Sequence, residues 1–318
     1  MTEPAAVPHV PRCPVTGEPA IRRVQVIDAR LLTALWRILF RADPRPSFRG
    51  VGRFGLWESP TGLYFFDPML AGDADFYARF YANRGMQGYL RDPDRGEFGL
   101  AAAEIRPGDR VLDVGCGFGT FRHRVPDARY TGLDPHFAGD PATNPWARAE
   151  SLADHLVAHE GTYDVACAFQ VMEHVEDPAG LLAEMARAVR PGGKVVVGVP
   201  HVPSAPTRVP NWLTNAVPHH LTWWTERALN DLALRSGLVV PKVQASPWAR
   251  SDVFVYWLDR FGAVRATQRH FHHGFGSYVG PLLAILPAYI ASRVMPLPAA
   301  GSDEGVSLLL VARRPEAA

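Results

Sequence analysis

Cysteine is scarce in this chain: Cys13, Cys116 and Cys167 are the three in 318 residues. Thiols so few and so scattered cannot build a disulfide framework, which leads to the expectation of a reducing, cytoplasmic setting. A charge excess of either sign is missing as well, with 33 basic residues against 32 acidic. Bulk electrostatics therefore gives no reason to expect nucleic acid as a partner. No apolar run is long enough for a membrane-spanning helix. The nearest, Val279 to Val294, is short and is interrupted by Pro281 and Pro287. The opening residues MTEPAAVPHVPRCP lack the apolar segment of a secretory signal.

The balance that remains, 47% hydrophobic and 20% charged, is that of a globular protein, and the length suits one large domain with additions. Residues 1–95 form an N-terminal extension with amphipathic stretches at Ile27–Phe40 and Asp73–Leu90. From Arg106 onward short apolar runs alternate with helical patterns, as in βαβ units around a parallel sheet. Strands are expected at 110–114, 129–133, 164–169 and 194–199, with Pro191–Gly193 ending the element before the last of these. Helices are expected at 118–124, 149–159, 178–189 and 225–236. The runs 238–245 and 305–313 read as two final strands, the second apolar throughout and so covered on both faces. Between them, Ser246 to Ser302 is too long for a hairpin and reads as a helical insert. After Asp134, the prolines at 135, 141 and 145 predict a loop where a crossover helix would otherwise stand.

The densest signal is VLDVGCGFGT, Val111 to Thr120. An apolar strand ends in Asp113, then Gly115, Gly117 and Gly119 follow at alternate positions. Glycine lets a ligand approach backbone where a Cβ would collide, and the amides of the next helix turn face that ligand. The dinucleotide fingerprint G-x-G-x-x-G needs a glycine where Thr120 stands, so a nicotinamide cofactor is disfavoured.

The form D-x-G-x-G-x-G resembles the first motif of the class I S-adenosylmethionine (SAM)-dependent methyltransferases. Four later segments resemble the same family in the same order: YTGLDP ending in Asp134, YDVACAFQVMEHVEDP, RPGGKVVVGVPH, and PHHLTWWTERALNDLALRSGLVV. The resemblance implies an α/β, Rossmann-like sheet of seven strands with helices on both faces, spanning residues 96–318, with the insert at about 246–302. It implies SAM as cofactor, held by Asp113, Gly115, Cys116, Gly117, Gly119, Asp134 and Pro135. Asp134 would take the ribose hydroxyls, while Asp113 orders the loop near the amino group. Arg148 stands where the family reads adenine with an acid, and arginine cannot accept a hydrogen bond. The adenine then falls to the backbone around Ala149 or to Glu150. Gln170 lies at the methionine end, and Tyr81, with Tyr77 next, is the candidate to fold over the cofactor.

Methyl transfer is a direct displacement, so the protein mainly aligns donor and acceptor, with a base needed only where the acceptor loses a proton. The histidines His174, His201, His219 and His220 gather at the expected carboxyl edge of the sheet. His174 and then His220 are the candidate catalytic residues. The run QVMEH also resembles EMLEH of the ubiquinone-biosynthesis O-methyltransferases, where a divalent ion is implied. Here Gln170 replaces the first glutamate and is a weaker ligand for a hard cation, so no metal is expected, and Glu173 and His174 take structural or substrate-facing roles. His270, His272 and His273 read as a solvated helix or loop end. Segment 13–17, CPVTG, with Phe54 to Pro68, resembles a zinc-knuckle pair left with one thiolate, Cys13, too few for a tetrahedral zinc site, so it packs without metal.

Together these features predict transfer of a methyl group from SAM to a small-molecule or glycan-type acceptor, probed first at oxygen. C- or N-methylation and a non-catalytic SAM-binding subunit are the alternatives. The insert reads as a lid or a homodimer contact, or as a peripheral membrane surface meeting a lipid-linked acceptor.

Overall fold

The computed structural model describes residues 9–137, 139–266, 269–272, 276–299 and 305–317. In the N-terminal region β1 (Arg22–Asp28) leads into α1 (Ala29–Leu39), followed by β2 (Arg53–Glu58) and β3 (Tyr64–Asp67). Then come α2 (Ala74–Tyr81), α3 (Arg84–Leu90) and α4 (Gly96–Ala102). The long amphipathic stretch at 73–90 is thus two helices, not one. The Asn83 side chain accepts from the Gly85 amide and starts a new helix, with two residues between it and the end of the first. Gly85 and Gly88 further lower the tendency to continue.

The second half runs β4 (Arg110–Val114), β5 (Arg129–Leu133), β6 (Ala147–Arg148), α5 (Leu152–His159), β7 (Tyr163–Phe169), α6 (Pro178–Ala188) and β8 (Val189–Pro200). It continues with α7 (Ala205–Arg208), β9 (Thr222–Trp223), α8 (Glu226–Arg235), β10 (Val239–Ala245), α9 (Val253–Phe261), α10 (Gly276–Val294) and β11 (Ser307–Arg313). Among the described residues these strands form two sheets. The larger has seven strands in the order β10-β11-β8-β7-β4-β5-β6, and the smaller has the order β1-β2-β3-β9. In the larger sheet β11 is antiparallel to both neighbours, while β4, β5, β6, β7 and β8 pair in parallel.

Side chains along each central strand alternate between two cores, as a two-residue period requires. Leu112, Ala166, Val195, Val197 and Leu308 pack on the face of α6 and α8. Val111, Val165, Val196 and Leu309 pack on the opposite face, with Phe98 of α4 and Phe121. Both faces are therefore covered, and the strands read as continuous apolar runs.

Several local expectations are corrected. The segment after Gly119 is a five-residue 3₁₀ turn, Thr120–Arg124, rather than an α-helix. Pro126 follows at once and disfavours helical geometry at Val125, whose φ of −131° and ψ of 55° lie outside the helical region. Pro191–Gly193 does not separate two elements: β8 begins at Val189 and absorbs them as a register slip, with Tyr163 opposite Val189 and Val165 opposite Lys194. Pro281 and Pro287 do not break α10. Each removes one helical hydrogen bond, but Ala284, Ala288 and Ala291 are buried, and the first two pack in the small core of the insert. The loop expected after Asp134 is present, since β5 passes to the two-residue β6 without a helix.

The N-terminal sheet does not stand alone. β9 closes it, and Trp36, Phe54, Phe66, Phe76 and Phe80 share a core with Leu213, Val217, Leu221 and Trp223. The two knuckle-like turns survive as turns. The Cys13 amide donates to the Glu18 carbonyl at 2.8 Å, and the Gly17 amide to the Cys13 carbonyl at 2.9 Å. In the second turn, buried Ser59 and Thr61 hydroxyls lie 2.9 Å apart. Cys13 itself packs in the main core as a small apolar side chain.

Candidate active site

The three glycines have different jobs. Each has positive φ, a conformation that costs any other residue. A Cβ on Gly115 would sit 2.5 Å from a Val171 methyl, and one on Gly119 would sit 2.2 Å from the Trp146 ring. Those two are small because protein packs on them. Gly117 is exposed and a Cβ there would meet nothing, so it is the glycine that leaves backbone open to a ligand. The Asp134 carboxylate anchors this loop: Oδ2 accepts the Gly117 amide at 3.1 Å and Oδ1 the His136 amide at 2.9 Å. Each oxygen keeps a second lone pair for a ligand hydroxyl. Pro135 follows Asp134 on the exposed rim.

Asp113 is buried in its strand. It accepts the Tyr130 hydroxyl, and the Cys167 thiol lies 3.7 Å from its other oxygen. Burial pushes its carboxyl up to about 7, and the nearby Arg95 guanidinium pulls the other way. That geometry fits a residue that orders the loop. Burial also pushes the Cys116 thiol up, which suits a filler and not a nucleophile.

Across the carboxyl edge, β7 is followed by Gln170, whose φ of 57° is rare for a non-glycine residue. Its amide donates to the Gly198 carbonyl, and its side chain reaches Ser307 Oγ at 3.3 Å. The chain then turns through Val171, against Gly115, into Glu173 and His174. Glu173 is fully buried, neither carboxylate oxygen has a hydrogen-bond partner, and burial pushes it up to about 8. His174 Nδ1 donates to the His219 carbonyl at 2.6 Å, leaving Nε2 3.6 Å from Glu173 Oε1. His220 Nε2 lies 3.9 Å from the same oxygen. Burial lowers His174 to about 4 and takes His219 and His220 well below the usual imidazole range. His201 instead faces the Gly305 carbonyl, 3.3 Å away.

Helix α2 covers this group. The rings of Phe80 and His219 lie 4.3 Å apart, Tyr77 donates to the Pro218 carbonyl at 3.1 Å, and Tyr81 stacks on Tyr77. Burial raises the Tyr77 hydroxyl to about 12 and the Tyr81 hydroxyl further. The Tyr81 ring also lies 6.3 Å from that of His219.

Other expected residues fall elsewhere. The Glu150 carboxylate is turned to His155 Nδ1 at 2.8 Å, and His155 passes on to the Tyr163 hydroxyl at 2.7 Å. The first turn of α5 therefore claims it, while Ala149 is exposed at the end of β6. Arg148 caps carbonyls of Pro145 and Ala147. His270 is not a solvated loop end: its ring packs 4.8 Å from Trp223 and Nδ1 lies 3.0 Å from the Thr207 carbonyl. His273 lies outside the described residues.

Sequence reasoning missed two residues beside this edge of the sheet. Arg95 is buried at the start of α4, its Nε without a hydrogen bond and 3.5 Å from Glu97 Oε1. Its signal, a lone arginine some way before the glycine run, carries no periodicity. Trp146 lies over Gly119 and Gly132 at the end of a proline-rich loop, with the Phe137 ring 5.6 Å away.

The sequence profile of the methyltransferase domain family matches residues 83–243, half of the chain. The chain belongs to the class I SAM-dependent methyltransferases. This methyltransferase is 33% identical over 165 residues to an uncharacterized 37.1 kDa protein in transposon TN4556 of Streptomyces fradiae, covering 45% of this chain and 47% of that one. It is 36% identical over 101 residues to the ubiquinone biosynthesis O-methyltransferase of Sodalis glossinidius, covering 28% and 40%. The match thus spans less than half the length of either relative. Among solved structures, a SAM-dependent methyltransferase from Mesorhizobium loti aligns with a TM-score of 0.42 and 19% identity, covering 70% of this chain and all of that one. No helix among the described residues of this methyltransferase is long and apolar enough to cross a membrane.

The pocket fits SAM on its own chemistry. Gly117 leaves backbone open, Asp134 has lone pairs to spare for ribose hydroxyls, and Arg95 has an unsatisfied buried nitrogen suited to a carboxylate.

Proposed function

We propose that this methyltransferase methylates an oxygen of a small-molecule or glycan-type acceptor. SAM supplies the activated sulfonium methyl when bound. The glycine loop and Asp134 hold its nucleoside, with Pro135 and the backbone around Ala149 at the adenine end, Cys116 filling the loop, and Asp113 ordering it; the Glu150 carboxylate stays with His155. Arg95 takes the amino-acid carboxylate, Gln170 flanks the methionine portion, and Tyr81 closes over it. His174 and His220 are the catalytic side chains of this reading: they hydrogen-bond the acceptor and align its oxygen with the methyl.

The observation that carries the reading is the side-by-side placement of two loops at the carboxyl edge of the sheet. Val171 joins them, packing on Gly115 three residues before His174. Ligands bind at such strand ends in open α/β sheets. Oxygen is favoured because the QVMEH segment and the named O-methyltransferase relatives agree. The N-terminal 95 residues and the insert cover the acceptor side in this reading. On α10, Leu282, Leu283, Leu286 and Ile290 are all more than half exposed, a face suited to a greasy or lipid-linked acceptor or to a second protomer.

Incubation with methyl-labelled SAM and panels of phenols, catechols and glycans tests the reading. Label recovered on oxygen supports it. Label on carbon or nitrogen, or SAM binding without turnover on any acceptor class, contradicts it.

A further inference from the structure

We propose that His174, His219 and His220, with Glu173 beside them, form a binding site for a first-row divalent metal ion of the zinc or cobalt type. Along the QVMEH segment alone, Gln170 in place of a glutamate argues against a metal. Folding adds two histidines from a loop 45 residues further on.

One ring nitrogen of each of the three histidines lies within 4.8 Å of the others, the one such grouping of three or more potential ligands among the described residues. Ring centroids are 4.3, 4.6 and 4.9 Å apart. Tetrahedral bonds of about 2.0–2.1 Å place ligand nitrogens about 3.4 Å apart, so modest ring rotation closes the site.

Four atoms here are buried and unpaired: Nδ1 of His219, Nδ1 of His220, and both carboxylate oxygens of Glu173. An unsatisfied buried polar group destabilises a fold, and these four belong to three neighbouring side chains, so a cation held among them would answer more than one. The carboxylate contributes the negative charge that three neutral imidazoles lack.

The surroundings are those of a ligand set held in advance. His174 donates its Nδ1 proton to the His219 carbonyl, which fixes the tautomer and leaves Nε2 as the lone pair facing Glu173. The Leu221 amide donates to the Glu173 carbonyl at 2.7 Å, and Trp36 Nε1 to the Val217 carbonyl at 2.9 Å. Both ligand-bearing loops are thereby tied to each other and to α1. His174 is partly exposed, with 17% of its side chain accessible, and gives the entry side.

The donor set chooses the ion. Three imidazoles and one carboxylate suit borderline-soft ions, whereas magnesium and calcium take oxygen ligands. With an ion in place, His174 and His220 would act on the acceptor through it, since the ion would polarise the acceptor oxygen. Its binding does not depend on the oxygen-acceptor reading, and the test below reads the ion alone.

The full chain is stripped with a chelator, refilled with cobalt(II), and examined by visible absorption, metal analysis and paramagnetic proton NMR. The expected result is one ion per chain, intense ligand-field bands of a low-coordinate nitrogen site, and three sets of hyperfine-shifted imidazole protons. Zinc should displace the cobalt. His220→Ala and His174→Gln should weaken binding by at least about 100-fold, since even outer-shell changes cost roughly 10–100-fold. If a variant fails to fold, the wild-type spectrum still decides. Folded wild-type protein that retains no stoichiometric cobalt, or retains it with fewer than three shifted imidazoles, overturns the proposal. So does unchanged affinity in the folded variants.

Discussion

Asp134 Oδ2 accepts the Gly117 amide at 3.1 Å, so the end of β5 holds the glycine loop of β4 directly. The same carboxylate is placed to take ribose hydroxyls. Asp134→Ala should weaken SAM binding by about 1–3 kcal/mol, measured by calorimetric titration. Unchanged affinity would remove Asp134 from the site.

The different surroundings of two glycines give a second prediction. Gly117→Ala places a methyl in open space at φ of 51°. It should lower stability by about 1–2 kcal/mol and lower SAM affinity far more. Gly119→Ala drives a Cβ into Trp146 and should destabilise the protein even without SAM. Adding Trp146→Ala should recover part of that loss. Thermal melts with and without SAM separate the two cases, and equal behaviour of the two single variants would contradict the assignment.

Most of this site's cofactor half was legible because it is local. Strand, glycine spacing and following acid lie within Val111–Asp134, and short-range sterics dictate what they form. The same locality exposed the loop after Asp134 through its prolines. What sequence could not show is what converges from afar. Glu150 carries the right chemistry for adenine, yet His155, one turn into α5, takes its carboxylate. Pro287 reads as a helix breaker, yet the alanines of α10 pack closely enough to carry the helix past it. The facing of His174 by His219 and His220 depends on β9 joining the N-terminal sheet, a pairing that no pattern of period two or 3.6 announces.

Arg95 gives a third prediction. If its guanidinium holds the cofactor carboxylate, Arg95→Gln should weaken SAM by about 1.5–3 kcal/mol. Binding of 5′-methylthioadenosine, which lacks the amino-acid end, should change little. Because Glu97 is buried beside Arg95, Glu97→Gln should accompany it to avoid leaving a lone buried charge. Equal losses for both ligands would place Arg95 outside the carboxylate site.

Asp252 sets a pH dependence. Burial, with Glu97 adding to it, raises its carboxyl to about 7 from an ordinary 3.8. The folded state then binds the proton more tightly than the unfolded state. Its contribution is full below about pH 4 and is lost as pH rises toward 7. Asp252→Asn, which mimics the protonated form, should remove that part of the slope. Melting temperatures from pH 4 to 8 should fall less in the variant than in the wild type. Parallel profiles would show that Asp252 is ionised in the fold throughout.

The most direct test of the cofactor assignment is calorimetric titration of the intact protein with SAM and, separately, with NADH. The glycine loop, Asp134 and Arg95 predict one SAM per chain at micromolar affinity and no NADH binding. NADH binding, or no heat with SAM from folded protein, would contradict the account.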